Sequence, residues 1–222
     1  NVPSYSTIRY VKAGNPNPIA PFTNWANASD SIQKVVDICL SGDTIMIGKG
    51  IYRELVRSER DSFSLTFIGT DVDSCIFDLS GYPPEGTVSI SISSTHNLTI
   101  ENLNFTSIPQ TNKHYAIRLF YSVFQQTIIV RNCRFSNLDR CIDAYKANGE
   151  ISSNYFYKVS KTVRNTDRPS GEYLQIYDNT IIRSDETAIV CYYGTIRNNW
   201  IIMMQGSGIA GGGGLFISQQ QI

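Results

Sequence analysis

Residues 196–201 read Ile-Arg-Asn-Asn-Trp-Ile, and the same six-residue figure occurs four more times upstream. The copies begin at Ile100, Val130, Ile151, Ile176 and Ile196, which gives intervals of 30, 21, 25 and 20 residues. Each copy begins with Ile or Val, ends with Ile or Phe, and holds at least one Asn in its central pair. Recurrence at this interval is typical of solenoid repeats in which some turns carry loop insertions.

The figure predicts the end of a strand, a tight bend and a return to the core. Asn suits such a bend because its short amide tolerates the left-handed region and bonds to nearby backbone. Turns stacked about 4.8 Å apart would place equivalent side chains over one another. We therefore predict an all-β parallel β-helix with an Asn-rich ladder through Asn102, Asn132, Ser153, Asp178 and Asn198, beside Asn154, Asn179 and Asn199.

One amphipathic helix is predicted before the repeats. Its apolar face consists of Ile32, Val35, Val36 and Cys39. Ser29 or Asp30 can cap its start, and the Ser-Gly pair at 41–42 can end it. The helix would cover the open end of the first coil. The predicted organisation is an extended segment over 1–28, with a short strand at 7–11, a capping helix over 29–42 and β-helix coils over 43–222.

Composition restricts the partners. The chain has 19 basic and 19 acidic residues, so no overall field would attract it to nucleic acid. No apolar run is long enough for a membrane span, so the chain is not expected to be membrane-embedded. The five cysteines show no metal-ligand spacing and are expected to be buried free thiols. His96 and His114 stand singly, which predicts a loop or surface role for each.

Several stretches resemble one known superfamily. Residues 10–12 and 24–25, the helix, residues 42–45 and 50–54, and the following coil at 65–78 look like the opening of bacterial, secreted right-handed β-helix proteins of the pectate-lyase-like superfamily. The resemblance implies a right-handed solenoid of about seven coils and a secreted or cell-surface location. It also implies a ladder between the second and third sheets and a substrate groove on the first sheet. Activity does not follow, because this fold hosts lyases, hydrolases, epimerases, tailspikes and adhesins.

If the resemblance holds, the first-sheet strands are 87–93, 116–120, 141–146, 162–167, 187–192 and 214–218. Alternation along them points one set of residues to the core. This inward set is Ile117, Leu119, Ile142, Ala144, Ile189, Cys191, Leu215 and Ile217. The outward column is then Arg118, Asp143, Arg164 and Val190, with Phe120, Tyr145, Thr166 and Tyr192 beside it.

Charges beside aromatic rings predict binding of an acidic polysaccharide, because rings stack on sugars and guanidinium groups bind carboxylates. The predicted substrate-binding residues are Arg118, Phe120, Tyr145, Asp167, Arg168 and Tyr192. A structural ladder of cross-strand ion pairs is the alternative explanation of the same column.

Catalysis is a further hypothesis. A polysaccharide lyase needs a base and a cation that stabilises the enolate. The candidate catalytic residues are Lys146, Arg164 and Asp143, and calcium is a candidate cofactor held by Asp143, Asp167 and Glu186. Glycoside hydrolases use paired carboxylates instead. The Asn-Thr-Asp at 165–167 matches one short hydrolase motif, but the adjacent Asp pair and the Gly-His-Gly that should accompany it are missing. Whether the protein is an enzyme stays open. The alternatives are a non-catalytic, adhesin-type surface module of a larger exported protein or, with weaker support, a phage tailspike.

The C-terminal stretch carries one more expectation. A glycine-rich run at 206–214 leads into Leu-Phe-Ile at 215–217, which we interpret as another first-sheet strand. A coil interrupted there would expose apolar residues and strand edges. Self-association, a covering partner or a longer parent protein would each cover those apolar residues and strand edges.

Overall fold

The computed structural model describes residues 6–60, 63–83, 85–93, 95–108, 113–119, 126–166, 173–203, 208–211 and 214–218. One helix lies within these ranges, α1 (Ile32–Ile38). The strands are β1 (Ile8–Val11), β2 (Thr44–Ile47), β3 (Gly50–Tyr52), β4 (Val56–Ser58), β5 (Phe63–Gly69), β6 (Cys75–Asp78), β7 (Glu85–Ile92), β8 (Thr95–Glu101), β9 (Asn104–Thr106), β10 (Lys113–Leu119), β11 (Gln126–Arg131), β12 (Arg134–Ala144), β13 (Ala147–Ser152), β14 (Tyr155–Asn165), β15 (Leu174–Tyr177), β16 (Thr180–Ser184), β17 (Ile189–Cys191), β18 (Tyr193–Arg197), β19 (Trp200–Met203), β20 (Ile209–Ala210) and β21 (Gly214–Ser218).

All strand pairs are parallel, and the strands stack in three series. The first sheet runs β4-β7-β10-β12-β14-β17-β20, the second β1-β2-β5-β8-β11-β13-β15-β18-β21, and the third β3-β6-β9-β12-β14-β16-β19. Strands β12 and β14 belong to two sheets because each continues around the corner between the third and first sheets. Within the described ranges, seven coils pass through all three sheets, which confirms the predicted parallel β-helix.

The repeated six-residue figure forms the bend between the second and third sheets, as predicted. The Asn ladder at this bend, however, runs through only one of the two predicted columns. Asn102, Asn132, Ser153, Asp178 and Asn198 all have φ near +55° and lie on the solvent side of the bend. The hydrogen-bonded ladder runs through the next position, where Asn154, Asn179 and Asn199 are buried. The prediction that this solvent-side column forms the ladder was therefore wrong. Its residues instead adopt the left-handed backbone conformation of the bend, which short polar residues tolerate.

A stack of phenylalanine rings fills the core beside this bend. Phe77, Phe105, Phe135 and Phe156 lie one above another, with ring centroids 4.9, 5.2 and 4.8 Å apart. All four rings are fully buried.

The five cysteines are buried and free, as predicted. Burial raises the pKa of the Cys133 thiol to about 12 and that of the Cys191 thiol to about 11, so both stay protonated and unreactive near neutral pH.

Helix α1 covers the first coil through Ile32, Val35, Val36 and Cys39, all of which are buried as predicted. Its N-cap is Ser31 rather than Ser29 or Asp30. The Glu54 carboxylate, which follows β3, explains the difference. It accepts hydrogen bonds from Ser31 Oγ at 2.7 Å, Ile32 N at 2.8 Å and Gln33 N at 3.2 Å. A side chain from the coil beneath therefore fixes where the helix begins.

One strand assignment was wrong. β21 at 214–218 pairs with β18 and belongs to the second sheet. The first-sheet strand of the seventh coil is the two-residue β20, whose Ile209 pairs with Ile189. The glycine-rich run hid this short strand. The inward orientation predicted for Leu215 and Ile217 concerns side chains that the structure does not describe.

Candidate functional site on the first sheet

The outer face of the first sheet is built from a four-residue figure. It reads Tyr-Ala-Ile-Arg at 115–118, Arg-Cys-Ile-Asp at 140–143 and Lys-Thr-Val-Arg at 161–164, and these copies are in register. The first and fourth residues face outward, while the second and third are buried in every copy. The strand therefore departs from strict alternation, which places two outward side chains three residues apart.

Asp143 lies at the centre of this face and contacts three arginines. Arg164 Nη1 donates to Asp143 Oδ1 at 3.1 Å, and Arg140 Nη1 donates to Oδ2 at 3.3 Å. Arg118 Nε is 3.7 Å from the same Oδ2. Arg118, Asp143 and Arg164 occupy consecutive strands at one register position, as predicted. Asp143 itself is buried, so the expectation that it is exposed was wrong: the arginines fold over it.

The arginines, in contrast, remain accessible. The side chains of Arg118, Arg140 and Arg164 are 34%, 25% and 39% exposed. Asp139 Oδ2 lies 3.7 Å from Arg140 Nε, which has no hydrogen-bond partner among the described residues. Three guanidinium groups against the carboxylates of Asp143 and Asp139 leave one net positive charge on these five side chains. We call Arg118, Arg140, Asp143 and Arg164 the arginine cluster.

Tyrosines border the arginine cluster. The guanidinium carbons of Arg140 and Arg118 lie 5.0 and 5.7 Å from the centroid of the Tyr115 ring, within the range of cation–π contacts. Tyr145 and Tyr192 each follow the end of a first-sheet strand, two coils apart, and Tyr192 is exposed. Both tyrosines therefore lie at the edge of the face rather than on it.

Other predicted site residues contact neighbours outside the arginine cluster or lie outside the described residues. Lys146 occupies the bend after β12 with φ of 51°, and its Nζ lies 5.8 Å from the Tyr145 ring. Glu186 pairs with Lys161 on the neighbouring strand. Phe120, Asp167 and Arg168 lie outside the described residues.

Two of the three proposed calcium ligands, Asp143 and Glu186, lie in the described ranges, and the third, Asp167, lies outside them. No group of three or more His, Cys, Asp or Glu side chains there is arranged to hold a metal ion. Arginines engage both carboxylate oxygens of Asp143, and a lysine engages Glu186. These contacts compete with cation binding.

His114 is not a surface residue, contrary to the sequence-based expectation. It is fully buried, with Nδ1 2.6 Å from Ser107 Oγ and Nε2 2.8 Å from the carbonyl oxygen of Pro83. Both ring nitrogens are therefore used to join two loops of neighbouring coils. The side chain of His96 lies outside the described residues.

Sequence reasoning missed Arg140 and Tyr115. Strict alternation from Ile142 assigns Arg140 to the core, and the loop predicted before each groove strand left Tyr115 unassigned. A usable signal was present: the four-residue figure repeats with a small residue, Ala116, Cys141 or Thr162, always in second place. Small side chains at that position are buried where the strand leaves the corner.

Comparison with known proteins agrees with this geometry. Residues 58–222 match the family model described as a right handed beta helix region. The chain belongs to the right-handed β-helix family. Membership places this β-helix protein in the broad class of carbohydrate-active or surface β-helix proteins. No curated protein and no solved structure matches the chain at significant similarity.

The described part of this β-helix protein includes no helix with the length and apolar character needed to cross a bilayer.

Proposed function

We propose that the first-sheet face binds an acidic polysaccharide through the arginine cluster. The single observation that supports this most is the convergence of three partly exposed guanidinium groups on one buried carboxylate. Each guanidinium has five N–H donors, and Asp143 can accept only some of the fifteen. Sugar carboxylates would bind the solvent-exposed edges of these guanidinium groups in the paired geometry that guanidinium groups favour.

Asp143 has a positioning role in this proposal. A carboxylate shared by three arginines fixes the guanidinium groups before the polymer arrives, which lowers the entropy cost of binding. Tyr115 supports two of the same arginines from its ring face. Tyr145 and Tyr192 would stack on sugar rings at the rim, with Phe120, Asp167 and Arg168 as further proposed contacts.

Binding is tested by calorimetry with oligouronides of four to six sugars, an order-of-magnitude choice set by about 4.8 Å per coil along the face. Arg164→Ala and Arg118→Ala should each weaken binding at least about tenfold, because a charged hydrogen bond contributes about 1.5 to 3 kcal/mol. The matched control is Arg134→Ala, since Arg134 is an exposed arginine of β12 that belongs to the third sheet. Equal affinities in all three variants would reject the site.

A lyase reaction at this face is the second candidate, with Lys146 or Arg164 as the base. The arginines and the bend lysine are the observations that favour it, because cations stabilise an enolate without a metal ion. Absorbance of the unsaturated product, measured with and without calcium, tests this step. Loss of product with retained binding in Lys146→Ala would identify a base, whereas binding without any product would favour a non-catalytic surface module.

We further infer a pectate-lyase-like protein of the bacterial, secreted type, located outside the cell or at its surface. The opening stretches quoted above and the ladder bend support this inference. The five free thiols are compatible with that location, because all of them are buried and so are protected from oxidants.

A further inference from the structure

The outer face of the third sheet changes character between the fourth and fifth coils. The two outward columns carry Ile51, Ile76 and Asp78 in the first two coils, and Asn104, Thr106, Arg134 and Ser136 in the third and fourth coils. From the fifth coil onward, the same register positions carry Tyr155, Tyr157, Thr180, Ile182, Trp200 and Ile202. We call these six residues the aromatic patch. The four polar positions of the third and fourth coils thus give way to a surface whose single non-aromatic polar member is Thr180.

The aromatic patch faces solvent. Tyr155 is 40% exposed, Trp200 52% and Ile202 42%. Tyr157 and Ile182 share the second column with Ile202 and are half-buried. Exposed sheet faces are normally polar, and a contiguous apolar surface of this kind on a globular protein usually marks a binding site.

The size and geometry of the patch restrict its occupant. Large side chains present about 150 to 250 Å² each when free, so three that are about half exposed offer on the order of 300 Å². A stable protein interface needs about 800 Å² on each partner, which argues against a second copy of the chain. Tyr155 and Trp200 share one column two coils apart, so their rings lie about 10 Å apart along the solenoid axis.

We propose that the aromatic patch binds a neutral, linear polysaccharide that runs parallel to the solenoid axis. Apolar sugar faces would stack on Tyr155 and Trp200, and the Thr180 hydroxyl lies between these two on the intervening strand. The six residues themselves carry no charge, which favours a neutral sugar over a uronic acid; the cation Lys158 lies at the edge of the patch, with Nζ 5.3 Å from the centroid of the Tyr157 ring. The site lies on a different sheet from the arginine cluster and does not depend on the function proposed there.

The experiment uses hexasaccharides of β-linked glucose, xylose and mannose as probes. Trp25 and Trp200 are the two tryptophans of the chain, so a Trp25→Phe background makes Trp200 the only indole reporter. We expect at least one probe to change the Trp200 fluorescence with saturation. By calorimetry, Tyr155→Ala and Trp200→Ala should each weaken that binding at least about tenfold. Ile51→Ala is the matched control, because Ile51 is an exposed member of the same sheet in the first coil.

If no neutral hexasaccharide binds, or if Trp200→Ala and Tyr155→Ala bind as tightly as the parent, the proposal is overturned. A dimer in sedimentation that Trp200→Ala dissociates would also overturn it and would assign the patch to self-assembly. Arg164→Ala should leave neutral-sugar binding unchanged, so failure of the acidic site and failure of this site are distinguishable.

Discussion

At the scale of single residues, asparagine has two different roles in the bend between the second and third sheets. Asn198 lies on the solvent side with φ of 54° and supplies a backbone conformation. Asn179, in the next column, is buried and uses its whole amide. Its Nδ2 donates to the carbonyl oxygens of Ile151 and Tyr177 at 2.9 and 3.0 Å and to Asn199 Oδ1 at 2.9 Å, while its Oδ1 accepts from Asn154.

This division of roles predicts unequal costs for the two asparagines. Asn179→Leu should lower the free energy of unfolding by roughly 1 to 3 kcal/mol, because buried carbonyl and amide groups lose their partners. Asn198→Gly should change it by less than about 0.5 kcal/mol, because glycine adopts positive φ freely at an exposed position. Urea denaturation measures both values. Similar midpoint shifts for the two variants would contradict the assignment of the ladder to the buried column.

At the scale of elements, the N-terminal cap is tied to the coils by buried polar groups. The Asp43 carboxylate, fully buried before β2, accepts from Thr7 N at 2.8 Å, Arg9 Nε at 2.8 Å and Leu40 N at 2.9 Å. These donors belong to the approach to β1, to β1 itself and to the segment after α1. One side chain therefore joins the first strand and the capping helix to the second sheet.

We expect Asp43→Ala to destabilise the protein by about 3 to 5 kcal/mol, since it leaves the buried guanidinium of Arg9 without its charged partner. The control is Asp30→Ala, which removes a solvent-exposed pair with Lys34 and should cost at most about 1 kcal/mol. Thermal unfolding followed by circular dichroism compares the two. A loss in Asp43→Ala no larger than in the control would show that the cap is held by apolar contacts alone.

The strands and corners also show how much of the fold could be predicted from the sequence. The six-residue figure predicted the solenoid, and alternation placed Ile117, Leu119 and Ile142 in the core because packing repeats in every coil. The alternation pattern did not predict the corners, where individual coils differ. β12 and β14 continue through left-handed residues at Asn137 and Lys158, so a corner that looks like a loop is a continuous strand.

The sequence likewise predicted only part of the candidate site. Arg118, Asp143 and Arg164 share a register position, which sequence spacing could indicate. The participation of Arg140 depends on a local break in alternation, and the burial of Asp143 depends on where three long side chains settle. Neither follows from the order of residues along one strand. The aromatic patch was likewise invisible, because its members belong to three coils and become neighbours only when the register is known.

At the scale of the whole molecule, each coil contacts mainly the coils directly above and below it. The phenylalanine stack is the clearest example, since Phe135 lies between Phe105 and Phe156 with nearly parallel rings at interplanar angles of 7° and 9°. Solenoids of this kind are stabilised by the sum of neighbouring interfaces. A defect in one coil should therefore have a local effect.

Phe135→Ala tests this view, because it removes a fully buried ring and should cost about 3 to 5 kcal/mol through lost contacts and a cavity. Hydrogen exchange should rise in β9, β12 and β14 and stay close to the parent values in β1 and β2, three or more coils away. Arg134→Ala, at the neighbouring exposed position, should leave the exchange pattern unchanged. Uniformly faster exchange across all coils in Phe135→Ala would mean that the solenoid unfolds as one cooperative unit and that coupling extends beyond adjacent coils.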